Sequence, residues 1–267
     1  MTITALILTY NEEGIIAECL DAITFVDKIV VLDSGSTDNT SKIAQEFGAE
    51  VVYRKFDNYS SQRNFGLGLI KSGWILMIDA DEIVTKTLST EITMLVERDP
   101  KEDMFLVRRK DYFKGRWLRY AGFYPTWIPR LFKAGTVKVD RAVNEQYVSK
   151  NGEGKLIEHL NHYPFNKGTQ FWYEKHIRYA FMESNVLQQD SSLGISLLSD
   201  LISSSFLKRR SAIKKLSFLL PFRLPLIWFY LVFIQRGFLD GREGMQFISM
   251  RLDYERLIKR FINEGKM

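Results

Sequence analysis

Three carboxylates follow a strongly apolar segment of the chain. The segment is Trp74–Ile78, and Asp79, Asp81 and Glu82 come after it. Successive side chains of a strand alternate between its two faces, so Asp79 and Asp81 are predicted to leave the strand end on the same side. Two such carboxylates suit Mg²⁺ or Mn²⁺, which binds few protein ligands and completes its shell with water and substrate phosphate. A solvated acidic turn is the alternative interpretation of an isolated Asp-x-Asp pair.

The first part of the chain alternates apolar segments with helical patterns. Apolar segments at 2–9, 28–32, 49–53 and 74–78 are typical of buried strands, and helical patterns lie at 12–23, after Thr37, and at 59–71. Ser36 or Thr37 is the expected cap of the second helix. This order predicts an α/β fold with a mostly parallel sheet covered by helices.

Polar side chains follow the ends of the first two predicted strands, just as Asp79, Asp81 and Glu82 follow the end of the fourth strand. They are Thr9, Tyr10, Asn11 and Glu12, and then Asp33, Ser34 and Gly35. Ligands of such a sheet bind beyond the carboxyl ends of its strands. Tyr10 can form a wall for a nucleotide base, and Asp33 can contact base or ribose. Arg63, on the helix before the carboxylate strand, can add positive charge toward phosphate or form a surface ion pair.

Four motifs occur in a fixed order and spacing. They are Thr9-Tyr10-Asn11-Glu12, Asp33-Ser34-Gly35-Ser36-Thr37-Asp38, Gln62-Arg63-Asn64-x-Gly66 and Asp79-Ala80-Asp81-Glu82. Together they resemble the family 2 glycosyltransferases with the GT-A fold, in the branch similar to bacterial lipopolysaccharide-core β-glucosyltransferases. The resemblance covers residues 2–145 and is looser beyond them.

This resemblance implies an inverting transfer of a hexose to a lipid-linked, lipopolysaccharide or polysaccharide acceptor. The implied donor is a nucleoside diphosphate sugar, expected to be a UDP-sugar, and the implied cofactor is Mn²⁺ or Mg²⁺. Asp33 would contact the base, Asp79 the ribose or the metal, and Asp81 the metal directly. The other implied donor contacts are Thr9, Tyr10, Asn11, Glu12, Ser34, Gly35, Arg63 and Ala80.

Inversion in one displacement needs a base for the proton of the acceptor hydroxyl. Residues 143–145, Val-Asn-Glu, resemble a family segment in which Val-His-Glu is usual, so Asn144 replaces a histidine here. Glu145 is the first candidate for the base and Glu82 the second. By the same resemblance Arg130 is expected on the acceptor side, and Trp127, among interleaved aromatic and basic residues, can form a sugar platform there or a stacking surface for nucleic acid. The aromatic residues near them can equally form a hairpin that packs on the sheet.

Three histidines and one cysteine are present. His159 and His162 are close enough in sequence for one of them to supply a third metal ligand, and we predict His162. A structural role is the alternative for either histidine. Cys19 falls at apolar spacing in a helical pattern and is expected in the core, and a single cysteine indicates a reducing compartment.

Basic charge is concentrated in the last part of the chain. Residues 208–267 hold 13 Lys and Arg against 5 Asp and Glu, whereas residues 1–207 hold 24 against 27. Five of these cations precede the apolar segment 216–234, namely Lys208, Arg209, Arg210, Lys214 and Lys215. That segment approaches the length of a membrane span, but Arg223 and two prolines interrupt it.

We therefore predict a segment, residues 208–234, that lies on an anionic membrane surface, with Phe222 and Trp228 in the interface. A buried core helix is the alternative. The predicted organisation is a nucleotide-sugar-binding and catalytic domain, 1–165, and a helical C-terminal region, 166–267. The predicted location is the cytoplasmic face of the inner membrane.

Two other functions fit parts of the sequence. A sugar nucleotidyltransferase would need a glycine-rich phosphate loop after the first strand, and Tyr10-Asn11-Glu12-Glu13 is not one. A non-catalytic module that binds nucleotide or nucleic acid through the basic tail is the main alternative. Because the basic run precedes a long apolar block, we predict a membrane partner and no nucleic acid.

Overall fold

The computed structural model describes residues 1–140, 146–189 and 222–265. These residues form two compact units. The first contains Met1–Tyr112 and Tyr124–Asn166, and the second contains Phe113–Phe123 and the described residues from Lys167 onward. The predicted boundary at residue 165 lies next to the observed one. The segment Phe113–Phe123, however, belongs to the unit of the C-terminal helices, and no boundary in sequence alone can express this.

The first unit begins with helices and strands in alternation. Its elements up to residue 97 are β1 (Ile3–Thr9), α1 (Ile16–Asp21), β2 (Lys28–Asp33), α2 (Thr40–Glu46), β3 (Glu50–Tyr53), α3 (Tyr59–Leu69), β4 (Trp74–Asp79), β5 (Glu82–Val84) and α4 (Lys86–Glu97). Strands then follow one another without helices. They are β6 (Met104–Phe113), β8 (Thr126–Lys133), β9 (Val137–Asp140), β10 (Gln146–Ser149) and β11 (Glu153–His162), while β7 (Arg116–Trp117) belongs to the second unit.

Eight strands of the first unit pair side by side in one sheet, in the order β3-β2-β1-β4-β8-β6-β11-β5. The first four are parallel, as predicted. The other half is mixed, because β8 is antiparallel to both β4 and β6, β11 is parallel to β6, and β5 is antiparallel to β11. The prediction of a mostly parallel sheet was therefore wrong for this half, where no helix separates β6 from β8 and a direct return gives an antiparallel pair.

Helices cover both faces of the sheet. On one face, Leu20 of α1 and Leu88 of α4 pack in the larger core cluster, together with Cys19, whose predicted core position is confirmed. On the other face, Leu67 of α3 packs in a second cluster with Val139 of β9. Strands β1 and β4 are buried along nearly their whole length, as strands covered on both faces require.

One helix start differs from the prediction. Helix α2 begins at Thr40 with Asn39 at its N-cap, because Ser36 and Thr37 make their hydrogen bonds within the preceding loops. In the second unit the last helix begins at Gly241, after a 3₁₀ turn at Gly237–Asp240.

The second unit is mainly helical apart from β7. Helix α5 (Gly168–Gln189) packs on α7 (Gly241–Glu264), and between them in sequence lie α6 (Arg223–Phe229) and a π-helix (Tyr230–Ile234). Arg223 is buried, with its Nη2 2.6 Å from Glu255 Oε2. Within the described ranges, the helices are all too short or too polar to cross a membrane.

The predicted membrane segment is only partly visible. Its five cations, Lys208, Arg209, Arg210, Lys214 and Lys215, lie outside the described residues. Phe222 is 70% exposed and Trp228 is 41% exposed. The alternative of a buried core helix is therefore wrong for these two side chains, whereas their contact with a membrane stays a prediction.

Gly66 sets the distance between α3 and β1. A Cβ atom at this position would lie 2.8 Å from Leu6 Cδ2 and 3.3 Å from Leu32 Cδ2, inside the contact distance of carbon atoms. Only glycine allows this close approach, which gives a structural reason for the last residue of the third motif.

We predict that Gly66→Ala destabilises the protein although alanine is the better helix former. Overpacking a tight core costs roughly 1–3 kcal/mol. Gly68→Ala is the matched control on the same helix, because a Cβ at Gly68 meets no atom within 4 Å. It should be neutral or stabilise by up to about 1 kcal/mol. Urea unfolding followed by circular dichroism measures both, and equal effects would contradict the packing described here.

Candidate active site

Hydrogen bonds join the loop after β1 to the loop after β2. The Asn11 N–H donates to Ser36 Oγ at 2.9 Å, and the Thr37 N–H donates to Asn11 Oδ1 at 2.7 Å. The Glu12 N–H donates to Thr40 Oγ1 at 2.7 Å. Asn11 has a φ of +53°, in the left-handed region that asparagine tolerates. The first two motifs therefore form one connected rim at the carboxyl ends of these strands.

Asp33 organises the loop that follows it. Its carboxylate accepts hydrogen bonds from the Ser36 N–H at 3.0 Å, from Ser36 Oγ at 2.5 Å and from Ser41 Oγ at 3.1 Å. Gly35 has a φ of +101°, and a Cβ there would lie 3.2 Å from the Tyr53 ring. Asp33 is buried, and its predicted contact with the base stays a prediction.

Helix α3 connects three parts of this region. Gln62 is buried and donates from Nε2 to Ser34 Oγ at 3.1 Å. Arg63 is buried as well, with Nη2 3.4 Å from Asp79 Oδ1, so the alternative of a surface ion pair was wrong. Asn64 exchanges two hydrogen bonds with the backbone of Val139. The third motif therefore links the β2 loop, the end of β4 and strand β9.

A buried ion-pair network holds the end of β4. Arg130 donates from Nε to Glu82 Oε2 at 2.7 Å and from Nη2 to Glu82 Oε1 at 2.8 Å. The same Nη2 lies 2.9 Å from Asp79 Oδ2, and the Asp79 N–H donates to Glu82 Oε2. Burial lowers the pKa of Arg130, but the charges of Glu82 and Asp79 outweigh burial and hold this pKa well above its usual value. The network fixes both ends of the turn that carries Asp81.

This network bears on the predicted roles of Arg130, Glu82 and Asp79. Arg130 is buried and engaged with both carboxylates, so it does not face an acceptor. Glu82 is fully buried and both its oxygens accept from Arg130, so it is not available as a base. Ala80 is 2% exposed and packs in the core, and its predicted contact with the donor stays a prediction. Asp79 is held by Arg130 and Arg63, which favours a supporting role over that of a direct metal ligand.

Asp81 and His162 come together at the rim. His162 Nε2 is 3.5 Å from Asp81 Oδ2, and His162 Nδ1 is 2.6 Å from Asp111 Oδ1. Burial lowers the pKa of His162, but Asp81 and Asp111 outweigh it and raise the pKa to about 9. The register of the sheet places His162 beside both Glu82 and Asp111. Asp111 was not predicted from the sequence, because only this strand pairing reveals its position.

The residues present fit a hard divalent cation held jointly with a substrate. Among the described side chains, no group of three or more His, Cys, Asp and Glu residues converges on a metal position. Mg²⁺ and Mn²⁺ nevertheless use one or two protein carboxylates together with phosphate oxygens, and Mn²⁺ also accepts imidazole. Asp81 and His162 would supply such a donor pair, with the incoming cation displacing the Nε2 proton that His162 carries while it faces Asp81. His159 does not join them, because its Nε2 lies 2.7 Å from Lys110 Nζ.

The remaining predicted residues are distributed around the rim. Tyr10 is half-exposed beside the buried Thr9, and its role as a wall for a base stays a prediction. Glu12 accepts a hydrogen bond from Asn166. Trp127 lies near the rim end of β8, with Arg108 and Lys155 against its ring. Glu145, the predicted base, lies outside the described residues, in the segment between β9 and β10.

We predict that Arg130→Met destabilises the protein by about 3–5 kcal/mol, because removing one partner leaves a buried carboxylate uncompensated. Lys133→Met on the same strand is the matched control, since Lys133 pairs with Asp99 at an exposed site. Its loss should stay below about 1 kcal/mol. Guanidinium unfolding at neutral pH measures both. Similar losses for the two variants would contradict the importance assigned to the buried network.

The family model described as "Glycosyl transferase family 2" matches residues 4–180. An uncharacterized glycosyltransferase of Rickettsia felis is 42% identical over 91 residues, which are 34% of this chain and 32% of that protein. The uncharacterized glycosyltransferase RP128 of Rickettsia prowazekii is 27% identical over 251 residues, 91% of this chain and 80% of that protein. The match to the Rickettsia felis protein thus spans about a third of its length.

A relative with a more specific description is similar over a shorter stretch. The lipopolysaccharide core biosynthesis glycosyltransferase LpsC of Rhizobium meliloti is 28% identical over 120 residues, 43% of this chain and 44% of that protein. The residues matched by the family model, 4–180, include all four motifs and the strands of the mixed sheet that brings these motifs to one rim. The chain therefore belongs to family 2 of the glycosyltransferases.

Proposed function

We propose that this protein is an inverting glycosyltransferase that moves a hexose from a UDP-sugar to a glycan acceptor of the cell envelope. The observation that carries the proposal is the single rim on which the four motifs meet. Asn11 and Ser36 join the first two strand ends, and Arg63 and Asp79 join α3 to the fourth. A non-catalytic nucleotide-binding module is disfavoured, because family membership accounts for the whole rim.

The donor would lie along this rim with its base toward Tyr10 and Asp33 and its diphosphate toward Asp81 and His162. A divalent cation bound there would neutralise the charge that develops on the departing diphosphate. The buried network on Arg130 keeps the turn with Asp81 in place before the donor arrives. Such preorganisation reduces the rearrangement that the reaction itself requires.

The proposed chemistry is one displacement at the anomeric carbon. The acceptor oxygen forms a bond to this carbon while the bond to the diphosphate oxygen breaks, and the configuration inverts. The hydroxyl proton passes to the carboxylate of Glu145, and the electron pair of the broken bond leaves on the diphosphate. Glu145 keeps this role because Glu82, the other candidate, is buried against Arg130.

We propose a lipid-linked or lipopolysaccharide-type acceptor at the cytoplasmic face of the inner membrane. The name of the Rhizobium meliloti relative, a lipopolysaccharide core biosynthesis glycosyltransferase, supports a lipopolysaccharide-type acceptor. An exposed apolar patch in the second unit supports contact with a membrane surface. We define this patch as Phe222, Leu226, Trp228, Phe229 and Phe233, each at least 41% exposed. Large aromatic side chains in such a patch are suited to a membrane interface.

We predict that Asp81→Ala abolishes hexose transfer without unfolding the protein, because the change removes a cation ligand and leaves no core cavity. Glu145→Gln should retain donor binding and lose roughly 10²–10⁴-fold in rate. Asp99→Asn, at an exposed ion pair, is the control for loss of a carboxylate. Transfer from radiolabelled UDP-glucose to envelope glycolipids measures the rates. Full turnover by Asp81→Ala would refute the assigned site.

We predict that the wild-type protein floats with liposomes that contain anionic phosphatidylglycerol. Phe222→Ser with Trp228→Ser should reduce binding by roughly tenfold or more, because apolar burial contributes about 25 cal/mol per Å². Ile157→Ser, a 73% exposed residue of β11, is the control. A wild type that ignores these liposomes would contradict the membrane contact and leave the donor chemistry unaffected.

A further inference from the structure

Trp127 of β8 lies beside a group of basic side chains on strands β6 and β11. The Arg108 guanidinium carbon lies 5.9 Å from the centre of the Trp127 ring, and Lys155 Nζ lies 5.0 Å from it. Lys110 Nζ is 2.7 Å from His159 Nε2. The sheet register places Arg108 opposite both Trp127 and His159. We call these five residues the basic cluster.

The basic cluster lies on the sheet face opposite α4. Phe105 and Val107 of β6 pack in the core cluster that contains α4, whereas Met104 packs in the cluster that contains Val139. Because side chains alternate along a strand, Arg108 and Lys110 lie on the same face as Met104. Val139 of β9 and Tyr147 of β10 pack on that face as well. Glu145 lies between those two strands in sequence.

The cluster carries an excess of positive charge. The hydrogen bond from Lys110 requires an unprotonated His159 nitrogen as its acceptor. Burial first, and then the charge of Arg108, lower the pKa of Lys110. Burial and the charge of Lys110 lower the pKa of His159. Glu158 opposes both effects, but its Oε2 also accepts a hydrogen bond from Thr87.

We propose that the basic cluster binds an anionic group, a phosphate or carboxylate, on the acceptor glycan. This inference rests on the proposed function and names the chemical class of its acceptor. Cations that lie close together repel one another. An anion that accepts charge-assisted hydrogen bonds from them offsets that repulsion. Trp127 holds two of the cations in place through its ring.

The position of the cluster favours the acceptor over the donor. The donor motifs follow β1, β2 and β4, whereas the cluster lies on β6, β8 and β11, beyond β4 in the order of the sheet. Its sheet face is the one on which β9 and β10 pack, and these strands flank the segment of the proposed base. A negative group near the reacting hydroxyl of the acceptor would therefore meet Arg108, Lys110 and Lys155.

The test measures binding of glucose 6-phosphate to the full chain by titration calorimetry at low salt, with saturating UDP and Mg²⁺ to occupy the donor site. Glucose and inorganic phosphate are the comparison probes. We expect the wild type to bind glucose 6-phosphate more tightly than either. Arg108→Gln and Lys155→Gln should each weaken this binding by roughly tenfold, as loss of one charge-assisted contact does. Lys28→Gln, at an exposed ion pair on β2, should have no effect.

Three results would overturn the inference. Unchanged affinity for glucose 6-phosphate in both cluster variants would show that the cluster does not bind the anion. Equal affinity of the wild type for inorganic phosphate and glucose 6-phosphate would show that the cluster does not contact the sugar of an acceptor. Loss of UDP affinity in the cluster variants would move the cluster to the donor site. A wild type that does not bind UDP would instead refute the proposed function itself.

Discussion

The architecture of the site depends on one buried cation. Arg130 satisfies both oxygens of the fully buried Glu82 and one oxygen of Asp79. A buried carboxylate without such a partner would be strongly destabilising, so the three side chains must be present together. Glu82 in turn accepts the backbone N–H of Asp79, which closes the turn between β4 and β5. Asp81 is thereby left as the carboxylate that faces the rim with His162.

The four sequence motifs act as connections as much as contacts. Asn11 joins the first two strand ends through Ser36 and Thr37, and Gln62 joins α3 to Ser34. Gly66 lets α3 approach β1 closely enough for these bonds to form. Residues that a motif search assigns to ligand binding thus also position one another. Each loop of the rim is bonded to at least one other element of the site.

The sequence predicted the parallel half of the sheet because each strand there is a continuous apolar run followed by a helix. It did not predict the other half, where strand order depends on contacts between residues far apart in the chain. Strand β6 continues to Phe113, well past the apolar segment Met104–Val107, and this extension carries Asp111 and two of the cluster cations, Arg108 and Lys110. Arg130 and Glu82 were assigned to acceptor and base because charge alone does not reveal burial.

The central claim is that Asp81 and His162 hold a divalent cation together with the diphosphate of the donor. Electron paramagnetic resonance of Mn²⁺ tests it most directly, with protein that carries ¹⁵N-labelled histidine. The claim predicts that Mn²⁺ binds more tightly when UDP is present and shows hyperfine coupling to one imidazole nitrogen. Binding that does not respond to UDP, or a bound Mn²⁺ without coupling to histidine nitrogen, would contradict it.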